Sequence, residues 1–349
     1  MALKKQILVI VHTVIHKENI MLKTKILNAA IEEDLMIAAS LIKQGELVAV
    51  PTETVYGLAA DARNLHAVKK IFIAKDRPSD HPLIVHIASF EKVSEWAQDV
   101  PPVVKNLADV FWPGPLTLVL KKNNSIEDAI TGGLKTIAIR VPQNKALLRL
   151  LEILDTGLAA PSANPHKRIS PTSSEHVIYG LSGKIAAVLD SGPCQIGIES
   201  TILDLTGPVP KILRHGPITK EMLEEVLKVS VDSPEIHSEK VSGNMKNHYQ
   251  PYAKTSIKSL EQIKEIVSLS SNSTEKFGVM HYSELSNDNQ NILTKKMPQD
   301  KSGYTNYMYD SLHYLDRVGV TQILIECPPK KEDWKDVLDR LSKASTEKK

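Results

Sequence analysis

Four cationic side chains stand beside apolar runs in the first two thirds of the sequence. Lys75 and Arg77 lie in Lys75-Asp-Arg77-Pro-Ser-Asp-His81, Arg140 in Thr136-Ile-Ala-Ile-Arg-Val-Pro142, and Arg214 in Leu213-Arg214-His-Gly216. A planar guanidinium fork suits phosphate or carboxylate oxygens, and each charge-assisted bond contributes roughly 1.5–3 kcal/mol. Lys75 and Arg77, spaced i, i+2 on a segment expected to be irregular, can face one anion, although a solvated charged turn explains the same letters. Arg140, flanked by Ile139 and Val141, is expected to be partly buried and to need an anion, internal or bound. The four cations have no evident matching set of acids, so a polyanion together with a carboxylate is the expected guest.

Neutral hydrogen-bonding groups cluster in three further strings. Pro51-Thr-Glu-Thr54-Val-Tyr-Gly57 follows a buried run. Ala160-Pro-Ser162-Ala-Asn164 leads to Ser170-Pro-Thr172, and Gly197-Ile-Glu-Ser200-Thr opens another run. Hydroxyl and amide groups on small residues let backbone approach a ligand closely, although Ser, Asn and Pro also build ordinary turns. His86, within Leu83-Ile-Val-His-Ile87, reads either as a pocket residue or as a hydrogen-bonded core histidine. Ser200 lacks the partner base that a hydrolase nucleophile requires.

What is missing narrows the chemistry. Gly132-Gly-Leu-Lys-Thr136 puts a leucine where a phosphate loop needs direct Gly-Lys continuity. HExxH, GxSxG and a strand-following GxGxxG are absent, which weighs against zinc protease, α/β-hydrolase and standard dinucleotide readings. Cys194 and Cys327 belong to no ligand cluster, and reduced thiols in a cytoplasmic protein are the expectation. The 349 residues carry 43 Lys and Arg against 41 Asp and Glu, a net charge of +2, so any anion site must be local. Hydrophobic residues at 42% and charged residues at 24% describe an ordinary globular chain. The apolar run within Met1–Ile15 is too short for a bilayer and lacks a cleavage site.

The elements that must position these strings follow from periodicity. Ile31, Leu35, Ala38 and Ile42 form an amphipathic helix stopped by Gly45. Apolar strands are expected at 47–50, 83–87, 116–120, 136–141, 158–160, 185–189, 201–205 and 211–213, with helices near 65–74, 101–111, 143–154 and 173–181. They do not alternate one for one, which predicts a mixed twisted sheet. Thr219 caps a helix that closes the first domain. Residues 232–255 read as a linker. Beyond it, helices near 259–267, 304–317 and 331–343 alternate with strands near 277–280 and 322–326 around a polar loop at 284–300. That pattern predicts a small Rossmann-like α/β domain.

These strings, in this order, resemble the YrdC-like family of threonylcarbamoyl-AMP synthases: PTETVYGL (51–58), KDRPSDHPLIVH (75–86), WPGPLTLVL (112–120), IAIRVP (137–142), APSAN (160–164), GIESTILDL (197–205) and ILRHG (212–216). His248-Tyr249-Gln-Pro251 is similar to the HYxP signature of the longer SUA branch, and the tail, with Ile323-Leu-Ile-Glu326, Trp334 and Asp339-Arg-Leu341, to its C-terminal domain. The resemblance implies a YrdC-like twisted mixed sheet with flanking helices at 24–231, a linker or lid at 232–255 and an SUA-type domain at 256–349, with 1–23 an extension of doubtful status. It implies a nucleotidyltransferase that makes threonylcarbamoyl-AMP and pyrophosphate from L-threonine, bicarbonate and ATP, with Mg2+ on the phosphates. The product feeds the t6A modification of tRNA through downstream transfer machinery. Residue by residue, Lys75, Arg77, Ser162 and Asn164 would surround the phosphates and the reacting carbamate. Arg77, His81, Thr136, Ser162, Ser170 and Arg214 would contact ATP, with Tyr249 closing over it. Thr54, His86, Arg140, the Ala160 backbone and Ser200 would form the threonine pocket. The same resemblance assigns the protein no metal ligands of its own. Two departures, Gly243-Asn244 for an expected Pro-Gly and His166-Lys167 for Ser-Gly, bear on the lid and on the loop's path. The alternative is a module that binds double-stranded RNA through a cationic concave face.

Overall fold

The structure is a computed structural model that describes residues 23–234, 248–270 and 275–346. Most of the expected N-terminal extension and of the linker, including Gly243-Asn244 and Met245, lies outside the described residues.

The first domain is built on a ten-stranded sheet in the order β1-β8-β2-β3-β7-β4-β6-β5-β9-β10. These strands are β1 (Lys25–Asn28), β2 (Val48–Val50), β3 (Gly57–Asp61), β4 (Ile84–His86), β5 (Leu116–Lys121), β6 (Thr136–Arg140), β7 (Leu158–Ala159), β8 (Ala187–Asp190), β9 (Thr201–Asp204) and β10 (Lys211–Arg214). Parallel pairs such as β4 with β6 alternate with antiparallel ones such as β5 with β6, so the sheet is mixed, as the sequence pattern predicts. β1 and β3 escape the apolar-run reading. β1 is an edge strand that buries only Leu27, and β3 (Gly-Leu-Ala-Ala-Asp) enters the sheet through small residues whose burial comes from neighbours.

Helices cover the sheet for reasons that are local. α1 (Glu32–Lys43) begins with Glu32, Glu33 and Asp34 and ends with Lys43, which complements its dipole, and buries Leu35, Ala38, Ala39 and Ile42. α2 (Leu65–Lys75) is capped by Asn64, whose side chain accepts from the Ala67 N–H, and ends at Asp76 in the left-handed conformation. α3 (Val103–Phe111), the short α4 (Asp128–Thr131), α5 (Lys145–Leu154), α6 (Ser174–Leu181) and α7 (Lys220–Leu227) complete the layer, with Thr219 capping α7 through the Met222 N–H.

The second domain is a four-stranded, fully parallel sheet in the order β11-β14-β12-β13, formed by β11 (Lys254–Lys258), β12 (Phe277–His281), β13 (Ile292–Lys296) and β14 (Gln322–Glu326). α8 (Leu260–Leu269), α9 (Lys301–Arg317) and α10 (Lys335–Ala344) pack on it. β11 starts inside the span expected to be linker, and β13 inside the expected polar loop. β13 is an edge strand that buries only Ile292, so it carries almost no apolar signal. The two domains share a core: Tyr304, Met308, Tyr309 and Leu312 of α9 pack in one cluster with Val55, Ile169, Ile198 and Tyr249. Gly197 makes that docking possible. Its φ is +88°, and a Cβ there would stand 2.7 Å from Asn306 Cα.

Candidate active site

Five sheet-edge loops converge on one cavity of about 40 Å³, little more than the ~30 Å³ share of a single water. Its walls include Thr54, His86, Arg140, Ala160, Ser162, Ser200, Arg214 and Tyr249 from the expected site, together with Thr52, Glu199 and His248. These residues come together because β2, β4, β6, β7 and β10 end here and β9 begins here. His86 and Arg140 are register partners on the parallel pair β4 and β6.

Arg140 sits at the amino-acid end as expected, and its burial is nearly complete at 3% exposure. It already has an internal anion. Nη2 bonds Glu53 Oε1 at 2.5 Å, Nη1 donates to Thr54 Oγ1 at 3.0 Å and Nε to the Gly114 carbonyl at 3.1 Å. Glu53 is held in turn by the Gln143 N–H at 3.0 Å. Thr54 Oγ1 also lies 2.7 Å from Thr52 Oγ1, so the loop after β2 is a closed hydroxyl network. Beside it the buried His86 ring has no partner for Nδ1. Burial, and then the Arg140 charge, push its pKa down to about 3. The imidazole is therefore neutral.

At the other end Arg214 donates from Nε to the Ser200 carbonyl and from Nη2 to Ser200 Oγ, both at 3.0 Å, and Ser200 Oγ lies 2.7 Å from Thr117 Oγ1. The expectation of cations without matching acids is corrected here. Glu53 neutralises Arg140, and Glu199 lies between the Ser170 hydroxyl at 2.6 Å and the Arg340 guanidinium at 2.9 Å. Burial alone would raise the Glu199 carboxyl, but Arg340 and then Arg214 bring it down to about 2.

Lys75, Arg77, His81, Asn164 and Ser170 stand beside the cavity rather than in its wall. Lys75 is the last residue of α2, not part of an irregular loop. Its ammonium donates to the carbonyls of Ser162 and Asn164 and so pins the Ser-Ala-Asn turn from behind. Burial, and then the charge of Arg77, push its pKa well below the usual range. Arg77 Nη2 donates to the Pro82 carbonyl at 3.1 Å, and burial lowers its pKa to about 10. A file of rings runs from this loop to the linker: His81 to His166 at 5.6 Å, His166 to His248 at 6.4 Å, and His248 to Tyr249 at 4.1 Å. His166 is one of the sequence departures noted above. Thr136 opens β6 at the opposite end from Arg140, about 13 Å along the strand at ~3.3 Å per residue, and is not in the cavity wall.

Glu53, Glu199, His248, Tyr309 and Arg340 are site components that the sequence reading does not single out. Arg340 had a signal. It falls on the same helical face as Val337, Leu341 and Ala344, where a charge is out of place unless paired. Among the described residues no group of three His, Cys, Asp or Glu side chains converges to hold a metal, and Glu53 and Glu199 are both committed to arginines. The protein thus offers no cage for Mg2+. No described helix is long and apolar enough to cross a membrane.

A family model described as telomere recombination, that of the Sua5, YciO and YrdC proteins, matches residues 40–216, and one described as threonylcarbamoyl-AMP synthase, C-terminal domain, matches residues 218–346. The threonylcarbamoyl-AMP synthase of Pyrococcus abyssi is 39% identical over 325 residues, covering 90% of this chain and 94% of the relative. That of Bacillus subtilis is 38% identical over 317 residues, covering 88% and 92%. The crystal structure of P. abyssi Sua5 complexed with L-threonine superposes with a TM-score of 0.85 at 38% identity, covering 92% of this chain and 98% of that one.

Proposed function

The chain belongs to the Sua5/YrdC family of threonylcarbamoyl-AMP synthases, in its two-domain form, and from that premise we propose how its pocket makes the product. It is a nucleotidyltransferase, and ATP is its nucleotide substrate. The second substrate is L-threonine, with bicarbonate supplying the carbamoyl carbon. The amine takes up that carbon to give a carbamate with loss of water. A carbamate oxygen attacks the α-phosphorus, the bond to the bridging oxygen breaks, and pyrophosphate leaves with the electron pair.

No protein nucleophile is needed for this sequence. Positioning and fixed positive charge carry the rate, because negative charge accumulates along one line of atoms. Threonine lies against Thr54, His86, the Ala160 backbone and Ser200, with its carboxylate towards Arg140, already oriented by Glu53 and Gly114. The neutral His86 ring can exchange hydrogen bonds there without adding charge. The triphosphate lies towards Arg214, Ser170, Ser162 and the Arg77 loop with His81 and Thr136, while Lys75 and Asn164 fix the turn that bears Ser162. Tyr249 covers the nucleotide. With a cavity of only about 40 Å³, Tyr249 and His248 must withdraw before substrates enter. Mg2+ would arrive on the phosphates, and the protein groups described supply no ligands to it. The product passes to machinery that completes t6A on tRNA.

The observation that supports this reading is the convergence of two buried arginines and three hydroxyl-bearing loops on one cavity shared by both ends of the reaction. The test is pyrophosphate release from ATP by the purified protein. It is expected only when threonine and bicarbonate are both present; equal release with serine, or without bicarbonate, would overturn the reading. The RNA-binding alternative predicts salt-sensitive RNA binding with no such release.

A further inference from the structure

Arg340 is a fully buried cation that belongs to the second domain yet makes most of its contacts in the first. On α10 it is 0% exposed. Its Nε donates to Glu199 Oε2 at 2.9 Å and its Nη2 to the His215 carbonyl at 2.9 Å, while its centre lies 5.4 Å from the Tyr249 ring. Within its own helix Nη1 bonds Asp339 at 2.7 Å. One side chain therefore ties together the loop before β9, the loop after β10 and the covering tyrosine. Tyr309 of α9 supports the same carboxylate, donating to Glu199 Oε2 at 3.2 Å.

Glu199 is the reason this matters. It lines the cavity, it accepts from Ser170, and Arg214 acts on it directly. A buried carboxylate deprived of Arg340 would take the nearest remaining cation, and that is Arg214, because leaving it unpaired is costlier still. An Arg214 so neutralised would attract a triphosphate far less. We infer that Arg340 is a positioning residue through which docking of the second domain sets nucleotide affinity: by neutralising Glu199 it leaves Arg214 and Ser170 available to phosphate. The inference rests on the placement of the triphosphate beside Arg214 and Ser170 given above.

The test uses the full-length chain and steady-state pyrophosphate release, with thermal unfolding measured alongside. Arg340→Met should raise KM for ATP roughly tenfold or more while KM for threonine stays within about twofold. Arg340→Lys, which keeps the charge without the fork, should raise it by about threefold. The double variant Arg340→Met/Glu199→Gln should return KM for ATP towards the wild-type value, because no carboxylate remains to compete. A merely structural residue would lower the melting temperature without that rescue. The inference is overturned if KM for ATP is unchanged in Arg340→Lys and Arg340→Met, if both KM values rise together, or if the double variant is no better than the single. Should Arg340→Met not fold, Arg340→Lys alone decides by the same criterion. Ser170→Ala and Arg214→Met separate the two layers. If neither raises KM for ATP, the placement of the triphosphate is wrong and the inference falls with it; if both do while the Arg340 variants do not, only the role of Arg340 is lost.

Discussion

Arg77 and Arg140 are the residues that divide the reaction between its two substrates. Arg77 leans on the Pro82 carbonyl beside the histidine rings, whereas Arg140 is locked to Glu53 at the amino-acid end. Arg77→Ala should raise KM for ATP by tenfold or more with little effect on threonine. Arg140→Lys should do the reverse, because an ammonium cannot reproduce three directed guanidinium bonds. Initial-rate measurements with each substrate varied in turn check the split. Arg140→Ala is the poorer probe, since stranding Glu53 in the interior would cost about 3–5 kcal/mol of stability. The four cations were legible in the sequence because each stood at the border of an apolar run. Their acids were not: Glu53 and Glu199 lie inside quoted motifs, but only folding shows that one faces Arg140 and the other an arginine 141 positions away.

Strand ends build the pocket, and their spacing leaves no room for extra atoms. Gly216 follows β10, and a Cβ there would stand 2.4 Å from the Thr201 N and 2.7 Å from the Ser200 carbonyl carbon, both rigid backbone at the start of β9. Gly216→Ala should therefore push the Ser200 and Arg214 loops apart, lowering both the melting temperature and kcat/KM for ATP, the latter by about tenfold or more. Wild-type values for both would mean that the two loops need not touch. At this scale central strands were readable as apolar runs, because both faces of the sheet are covered by helices. β1 and β13 were not, since an edge strand burying one residue is chemically a polar loop until it pairs.

Across the whole molecule the two domains meet through a stacked pair of histidines as well as through Arg340. His176 of α6 and His313 of α9 lie 3.9 Å apart, and His313 Nε2 is 3.1 Å from the Ser170 carbonyl. Burial, and then His176, push His313 down to about 3; burial also lowers His176, against an opposing Asp310 and with Arg317 and Glu175 nearby. Below the unfolded value near 6.5 the unfolded chain therefore binds more protons than the folded one. Stability is fully present above about pH 6.5 and is lost as pH falls towards 3, by up to ~1.4 kcal/mol per pH unit for each ring. Melting temperature should drop between pH 7.5 and 5.5, and drop less in His313→Gln; a flat profile in the wild type would contradict the packing described. The second domain's α/β character could be read from its alternating elements, but its grip on Glu199 could not, because nothing in the chain before residue 235 announces a partner at Arg340.

The central claim is that a single hollow holds the nucleotide's phosphates next to the amino acid's carboxylate. A crystal structure of the chain with L-threonine and a non-hydrolysable ATP analogue tests it most directly. The account predicts the threonine carboxylate at Arg140 and Thr54, the phosphates at Arg214, Ser170 and the Arg77 loop, and Tyr249 moved off the cavity floor. Density for the two ligands on separate faces of the first domain, or threonine away from Arg140, would contradict it.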